Sequence, residues 1–239
     1  MADVVQALGD ALNKDMQAIS QIAQNLANVN TPGYKASSMV TGQIDFSQSV
    51  LGRKSIPQVN ESQVMVYDFK NGALKQSERS LDVAISGNAF FKTSFQGQEV
   101  YTRNGSLKIN DKGVLVTSLG FPLISDSGDV NVNQSTSIKI AADGRVLQND
   151  TLLATLELVS FDNLQLVEHL GGGLLATSKT NVKPAESWVI HQGYIEASNV
   201  NTSQEMVRMM ELSKHFESVQ KALSIYDQAL SNGINRIGQ

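Results

Sequence analysis

Histidines, glycine triplets, hydroxyls and carboxylates are the residues through which this chain could do chemistry, and none of them falls into a working pattern. His169, His191 and His215 are its three imidazoles. They stand far apart, and none has a second histidine at the short spacing that presents metal ligands from one helix or hairpin. Gly171-Gly172-Gly173 could cradle a phosphate if Lys-Ser or Lys-Thr followed, but Leu174-Leu175 follow, so the triplet reads as a turn. No Gly-x-Ser-x-Gly elbow raises a nucleophilic serine, and the scattered carboxylates lie at turns, where Asp is favoured anyway. Asn104-Gly105-Ser106 and Asn201-Thr202-Ser203 fit the glycosylation sequon but read as a turn and a helix cap. The single tryptophan, Trp188, reads as a core residue of a β segment. There is no cysteine, which excludes disulfides, thiolate nucleophiles and Cys-based metal sites. The expectation is a chain that is not an enzyme and holds no cofactor and no metal.

Size and charge narrow the partners. A chain of 239 residues makes one large domain or two small ones. Lys and Arg number 19 against 23 Asp and Glu, and no basic run of five or more residues could neutralise phosphates or dock on an anionic surface, so nucleic acid is not an expected partner. No window approaches the ~18 apolar residues of a membrane span, so no membrane insertion is expected. The first residues also lack a basic stretch leading into an apolar one, so a route out of the cytoplasm would be one without a cleaved signal.

What the chain carries instead is periodicity at its ends. Val5, Leu8, Leu12, Asp15, Ile19, Ile22, Leu26 and Val29 recur at 3–4 spacing, which predicts one helix over the first thirty residues with a single apolar stripe and Asp15 as its only polar member. The helix should stop at Asn28 and Asn30, before Thr31-Pro32-Gly33, where Pro32 and Gly33 suit the two central positions of a type II turn. Thr202 and Glu205 read as a capping box that opens a second helix. Along it Met209, Leu212, Phe216, Val219, Leu223, Tyr226 and Leu230 repeat the spacing, with Ile237 beyond the break at Gly233. Isolated helices of this length are marginal in water, so both stripes need cover, part of it from ordinary pairing of the first helix with the last. From Met16 through Tyr34 no residue is charged. Amides such as Gln17, Gln21, Gln24 and Asn25 alternate with Ala18, Ala23 and Ala27, a composition suited to close packing on neighbouring chains.

Between the ends the pattern changes to short β-branched and aromatic runs: Val64–Tyr67, Leu81–Ile85, Ala89–Phe91, Val100–Thr102, Val114–Thr117 and Thr155–Val159. Asn71-Gly72, Gly87-Asn88, Asn104-Gly105, Asp111-Lys112-Gly113, Asp126-Ser127-Gly128 and Asp143-Gly144 punctuate them, several suited to hairpins. The predicted fold class is α+β. Residues 1–35 and 200–239 form a helical, coiled-coil-like inner domain, 36–62 an extended linker or arm, and 63–199 an irregular antiparallel β domain.

Three separate motifs then resemble one family. Asn25-Leu26-Ala27-Asn28-Val29-Asn30-Thr31-Pro32-Gly33-Tyr34-Lys35 is similar to the N-terminal signature of the rod, hook and hook-associated axial proteins of the bacterial flagellum. Gly193-Tyr194-Ile195-Glu196-Ala197-Ser198-Asn199-Val200-Asn201, with Glu205-Met206-Val207 and Met209-Met210, resembles their C-terminal signature. Leu81 through Phe91, Tyr101-Thr102-Arg103-Asn104-Gly105 and Gly113–Thr117 resemble the middle. The resemblance implies a structural subunit of a tubular filament, with terminal helices of many copies forming an inner wall around a central channel and the β domain outside. It implies as partners other copies of the chain, neighbouring rod proteins and the flagellar type III export apparatus, and as location the periplasm-spanning rod of the basal body. Within the family, the short length, Leu81-Asp82-Val83-Ala84-Ile85 and Gly120-Phe121-Pro122-Leu123-Ile124 resemble proximal rod members, while Leu212 to Glu217 departs from the Gln-Arg-Ala-Tyr-Glu typical of distal ones. A soluble binding module that uses its β domain remains the competing reading.

Overall fold

A computed structural model describes residues 2–43, 61–133 and 136–237. Helix α1 spans Ala2–Ala27. The amide of Thr31 donates to the Asn28 carbonyl and that of Tyr34 to the Thr31 carbonyl, which closes the expected turn with Gly33 at φ +69°. Val29, the last member of the predicted stripe, therefore lies past the helix end. Helix α2 spans Thr202–Ile237, and its cap differs from the expected one. Asn201, not Thr202, accepts the Gln204 amide through its side chain at 3.2 Å and the Glu205 amide through its carbonyl at 3.0 Å. Asn caps at least as well as Thr, so the helix starts one residue earlier than a Thr202 cap would place it.

The strands, in chain order, are β1 (Ser37–Gln43), β2 (Glu61–Tyr67), β3 (Leu74–Gln76), β4 (Val83–Gly87), β5 (Phe90–Phe95), β6 (Gln98–Thr102) and β7 (Leu107–Ile109). There follow β8 (Leu115–Thr117), β9 (Ile124–Ser125), β10 (Gly128–Asp129), β11 (Ile138–Ile140), β12 (Arg145–Gln148) and β13 (Thr151–Thr155). The last six are β14 (Leu158–Phe161), β15 (Glu168–Gly171), β16 (Leu174–Ala176), β17 (Val182–Pro184), β18 (Trp188–Gln192) and β19 (Tyr194–Glu196). The described residues thus give an α+β fold, two helices and a middle of antiparallel strands.

The chain divides into two compact units. One comprises 1–27, 37–67 and 201–239, and the other 28–36 and 68–200. In the first, α1 packs on α2 and on β1. Strands β1 and β2 pair antiparallel from Ser37 opposite Tyr67 to Gln43 opposite Glu61. Of the segment read as an arm, 44–60 lies outside the described residues, and the residues on either side of it form this ribbon.

The second unit is built on a six-stranded sheet of order β15-β16-β6-β5-β14-β17. Successive side chains of a strand face opposite ways. Phe91 and Leu158 accordingly join one core, with Val83, Ile85, Leu107, Leu115 and Val146, while Phe90 and Val159 join another, with Tyr101, Phe161 and Leu175. The run Thr155–Val159 does not form one strand. Thr155 ends β13, which pairs with β12, and Leu158 opens β14, which pairs with β5 and β17. The chain changes sheets at Leu156, which makes an isolated bridge to Ser125. Two tight hairpins carry neither Asn-Gly nor Asp-Gly. Gln96-Gly97 joins β5 to β6 and Asn149-Asp150 joins β12 to β13, all four residues at positive φ. Asn104-Gly105 is not a hairpin turn at all: the amide of Val83 donates to the Gly105 carbonyl, and a Cβ on Gly105 would fall 1.7 Å from the Val83 oxygen.

Candidate functional site

Two groups of residues stand out, the facing stripes of the helices and the signature motifs. Along α1, Leu8, Leu12, Ile19 and Leu26 are half-buried and Ile22 and Asp15 buried. Along α2, Met209, Leu212, Phe216, Val219, Leu223 and Tyr226 are each half-buried among mostly exposed neighbours. Leu230 has its side chain outside the described residues. Asp15 meets a partner that its place in the sequence does not suggest. Its Oδ2 lies 2.6 Å from His215 Nδ1, and because a carboxylate can only accept, Nδ1 carries the proton in this bond. The amide-rich face of α1 is divided. Gln21 and Asn25, four residues apart and so on one face, are buried. Gln21 donates to the Ser37 hydroxyl, while Asn25 donates to the Ser37 carbonyl at 2.8 Å and accepts its amide at 3.1 Å. These two amides are satisfied inside the chain, whereas Gln17, Ser20, Ala23, Gln24 and Ala27 are exposed.

The signature motifs converge on a cluster of buried charge. Lys35, Arg103 and Glu196 come from the three separate motifs, and their side chains are at most 2% exposed. Glu196 Oε1 accepts from Lys35 Nζ at 2.7 Å and from the Gly72 amide at 2.9 Å, and its Oε2 accepts from Arg103 Nε. Lys35 also donates to the Lys70 carbonyl. The remaining guanidinium nitrogens of Arg103 reach the carbonyls of Ala89 and Ile85 and the side chain of Asn71, and the guanidinium lies 5.7 Å from the centre of the Phe90 ring. Burial penalises the Glu196 anion, but the Arg103 charge and the bonds from Lys35 and Arg103 outweigh it and hold the carboxyl below the usual range. Burial dominates at Lys35 and lowers its ammonium pKa despite Glu196.

Asn199 completes this arrangement. Its Oδ1 accepts the Ala36 amide at 2.7 Å, its Nδ2 donates to the carbonyls of Asp68 and Lys70, and its own amide donates to the Tyr34 carbonyl. The Gly33 amide donates to the Glu196 carbonyl at 2.8 Å, and Ser198 accepts the Val200 amide. Residues 34–36, 68–70 and 196–199, beside the places where the chain passes from one unit to the other, are therefore tied side by side. Gly33 is required twice over. Its φ is positive, and a Cβ there would lie 2.6 Å from the Arg103 carbonyl carbon. All three charged residues belong to the signature motifs, but nothing in their spacing along the chain brings them together. The available signal was that each is a lone charge in an apolar or amide-rich stretch.

A cavity of about 370 Å³ opens beside the cluster, walled by Phe69, Phe90 and Phe161 and rimmed by Lys70, Asn71 and Asn88. Its lining includes one carboxylate, Asp68, and no histidine. Among the described residues no group of three His, Asp or Glu gathers as a metal site. No helix among them is long and apolar enough to cross a membrane. His169, on β15, does not line this cavity, but its ring lies 6.0 Å from that of Phe69, and burial depresses its imidazole to about 4.

Three family models match segments of this chain. Residues 6–35 match the flagella basal body rod protein, 84–148 the flagellar hook protein FlgE/F/G D1 domain, and 191–237 the flagellar basal body rod FlgEFG protein C-terminal region. The chain is 34% identical over 250 residues to the flagellar basal-body rod protein FlgG of Buchnera aphidicola subsp. Acyrthosiphon pisum, covering 90% of this chain and 93% of the relative. The chain belongs to the flagellar basal-body rod protein family. A second rod relative, FlgF of Caulobacter vibrioides, is 30% identical over 91% of both chains, and FlgF of Rhizobium meliloti is 30% identical over 92% of this chain and 91% of its own. Each rod-family model covers part of the cluster or its supports: Lys35 lies in the first, Arg103 in the second and Glu196 in the third.

Proposed function

We propose that this rod-family chain is a structural subunit of the proximal flagellar rod. It polymerises through its terminal helices with copies of itself and neighbouring rod proteins into a tubular shaft that transmits torque and surrounds the export channel. The helices pair in a coiled-coil-like seam, and the subunit reaches the growing rod through the type III export apparatus. The observation that carries this reading is the incomplete cover of α2. From Met206 to Ala229 no residue of the helix is buried. Beyond the half-covered stripe, Met206, Val207, Met210 and Ile225 stand 48 to 59% exposed. A helix of 36 residues with apolar side chains on opposite faces has surface for more partners than α1 alone. The ribbon of β1 and β2 adds Val40, Met65 and Val66, also exposed.

A specific observation favours a second assignment within the family, the distal rod: the 34% identity to FlgG exceeds the 30% to FlgF. Complementation separates the two. The chain should restore rods in cells lacking the proximal rod protein and not in cells lacking the distal one, and the reverse result would move it to the distal rod. In the same assay Leu223→Lys should abolish incorporation while the purified variant keeps its β-strand signal, because the lysine is buried without a partner only where helices pack. Wild-type incorporation of Leu223→Lys would remove the helices from the assembly interface.

A further inference from the structure

The apolar stripe of α1 contains one charged residue, and its place in the helix restricts what that stripe can meet. Asp15 is buried with Leu12 and Ile19 on either side of it along the stripe. It also lies at the middle of α1, which runs Ala2–Ala27. Two copies of α1 meeting stripe to stripe would therefore set Asp15 against Asp15, both in a parallel, in-register pair and in an antiparallel pair centred on the helices. Two carboxylates in an apolar seam repel each other and lose hydration with no cation to compensate. Sliding one copy by a turn or two places each carboxylate against leucine or isoleucine, where it is again buried without a partner. Helix α2 differs at this level: His215, exposed at the edge of its stripe, supplies the donor at 2.6 Å, while Leu212, Phe216 and Val219 keep the stripe itself apolar.

We propose that Asp15 is a pairing-specificity residue. It makes the α1 stripe accept α2 and reject a second α1, so that copies of the chain gathered for assembly do not associate through their first helices. Single polar residues in helical seams select partner and orientation in this way at a cost in stability. The inference rests on the stripes being pairing surfaces, not on the rod itself.

Because the chain has no cysteine, engineered thiols read the pairing directly in the full-length protein. Leu12→Cys alone reports parallel contact between two α1 helices. An equal mixture of Leu12→Cys and Ile19→Cys chains reports antiparallel contact. With Asp15 in place, interchain disulfide under mild oxidation should be scarce in both. Adding Asp15→Leu should raise it several-fold in at least one, with Asp15→Asn in between. His215→Leu breaks the same Asp15–His215 bond but leaves the carboxylate on α1, so it should not raise the disulfide. No increase with Asp15→Leu and Asp15→Asn, or an equal increase with His215→Leu, would overturn the proposal. A Leu12→Cys/Val219→Cys chain, which closes an intrachain disulfide only if the two stripes face each other, tests the underlying pairing separately.

Discussion

Replacing Glu196 by glutamine keeps the shape of the side chain and removes the one anion that both buried cations touch. In the native cluster the carboxylate accepts from Lys35 Nζ, Arg103 Nε and the Gly72 amide, and both charged partners are at most 2% exposed. Removing one member of a buried ion pair costs about 3–5 kcal/mol, because the remaining charge keeps its desolvation without its compensation. The amide also turns one accepting oxygen into a donor, so at least one of the three donors loses its acceptor, which alone costs about 1–3 kcal/mol. Lys35 can limit its share by giving up its proton, as its ammonium pKa is already lowered by burial, but Arg103 cannot. We therefore expect Glu196→Gln to lose about 3–5 kcal/mol in total, a large part of the ~5–15 kcal/mol of a typical domain. Trp188 is the single tryptophan and packs against the larger core, so its fluorescence follows this unit alone. The urea midpoint should fall by about 2 M at pH 7. The pH dependence carries the sign. The Glu196 carboxyl titrates below its ordinary value when folded, so its contribution is present above the unfolded pKa and is lost as pH falls through the folded one. The gap between wild type and Glu196→Gln should close on acidification. A midpoint within about 0.3 M of wild type at pH 7, on the order of the extrapolation error, would refute the view that the cluster holds this unit together.

Two further expectations concern the same unit and its neighbour. Burial holds His169 at about 4 when folded, below the ~6.5 of an unfolded histidine. The unfolded state therefore takes up the proton first, and stability present above pH 6.5 declines toward pH 4 by on the order of 2–3 kcal/mol; His169→Phe should flatten that slope, and parallel midpoint curves for the two proteins would contradict it. Gly105→Ala should cost about 3 kcal/mol or more, through overpacking against Val83 and loss of its backbone bond, because the added Cβ would lie 1.7 Å from the Val83 oxygen. Gly9→Ala, with nothing within 4 Å of the new Cβ, should instead raise helicity and stabilise α1 by about 0.5–1 kcal/mol, so a similar loss at both sites would count against close approach as the reason for Gly105.

What could be read from the residues depended on how local the physics is. The stripe of α1 is legible because Leu8, Leu12, Ile19, Ile22 and Leu26 need only the helix pitch to align, and the turn at Pro32-Gly33 because it is set by two φ angles. Thr155–Val159 misleads because nothing in that run shows the chain leaving one sheet for another at Leu156. The Asp15–His215 contact and the Lys35–Glu196 pair span 200 and 161 residues, and no periodicity carries over such a distance. The charge cluster also changes what the signature motifs mean physically. Motifs flanking two helices with exposed apolar faces invite the reading that the motifs themselves are contact surface. Yet Lys35, Arg103 and Glu196 are buried within one unit and bonded to each other, and Asn199 is spent on tying together segments of its own chain. Lys35, Arg103 and Glu196, buried as they are, cannot touch a neighbouring subunit without dismantling the cluster. The division of labour we infer is that Lys35, Arg103, Glu196 and Asn199 hold segments of the β unit to one another, while the exposed apolar face of α2, with Met206, Val207, Met210 and Ile225, is left to make contacts between subunits.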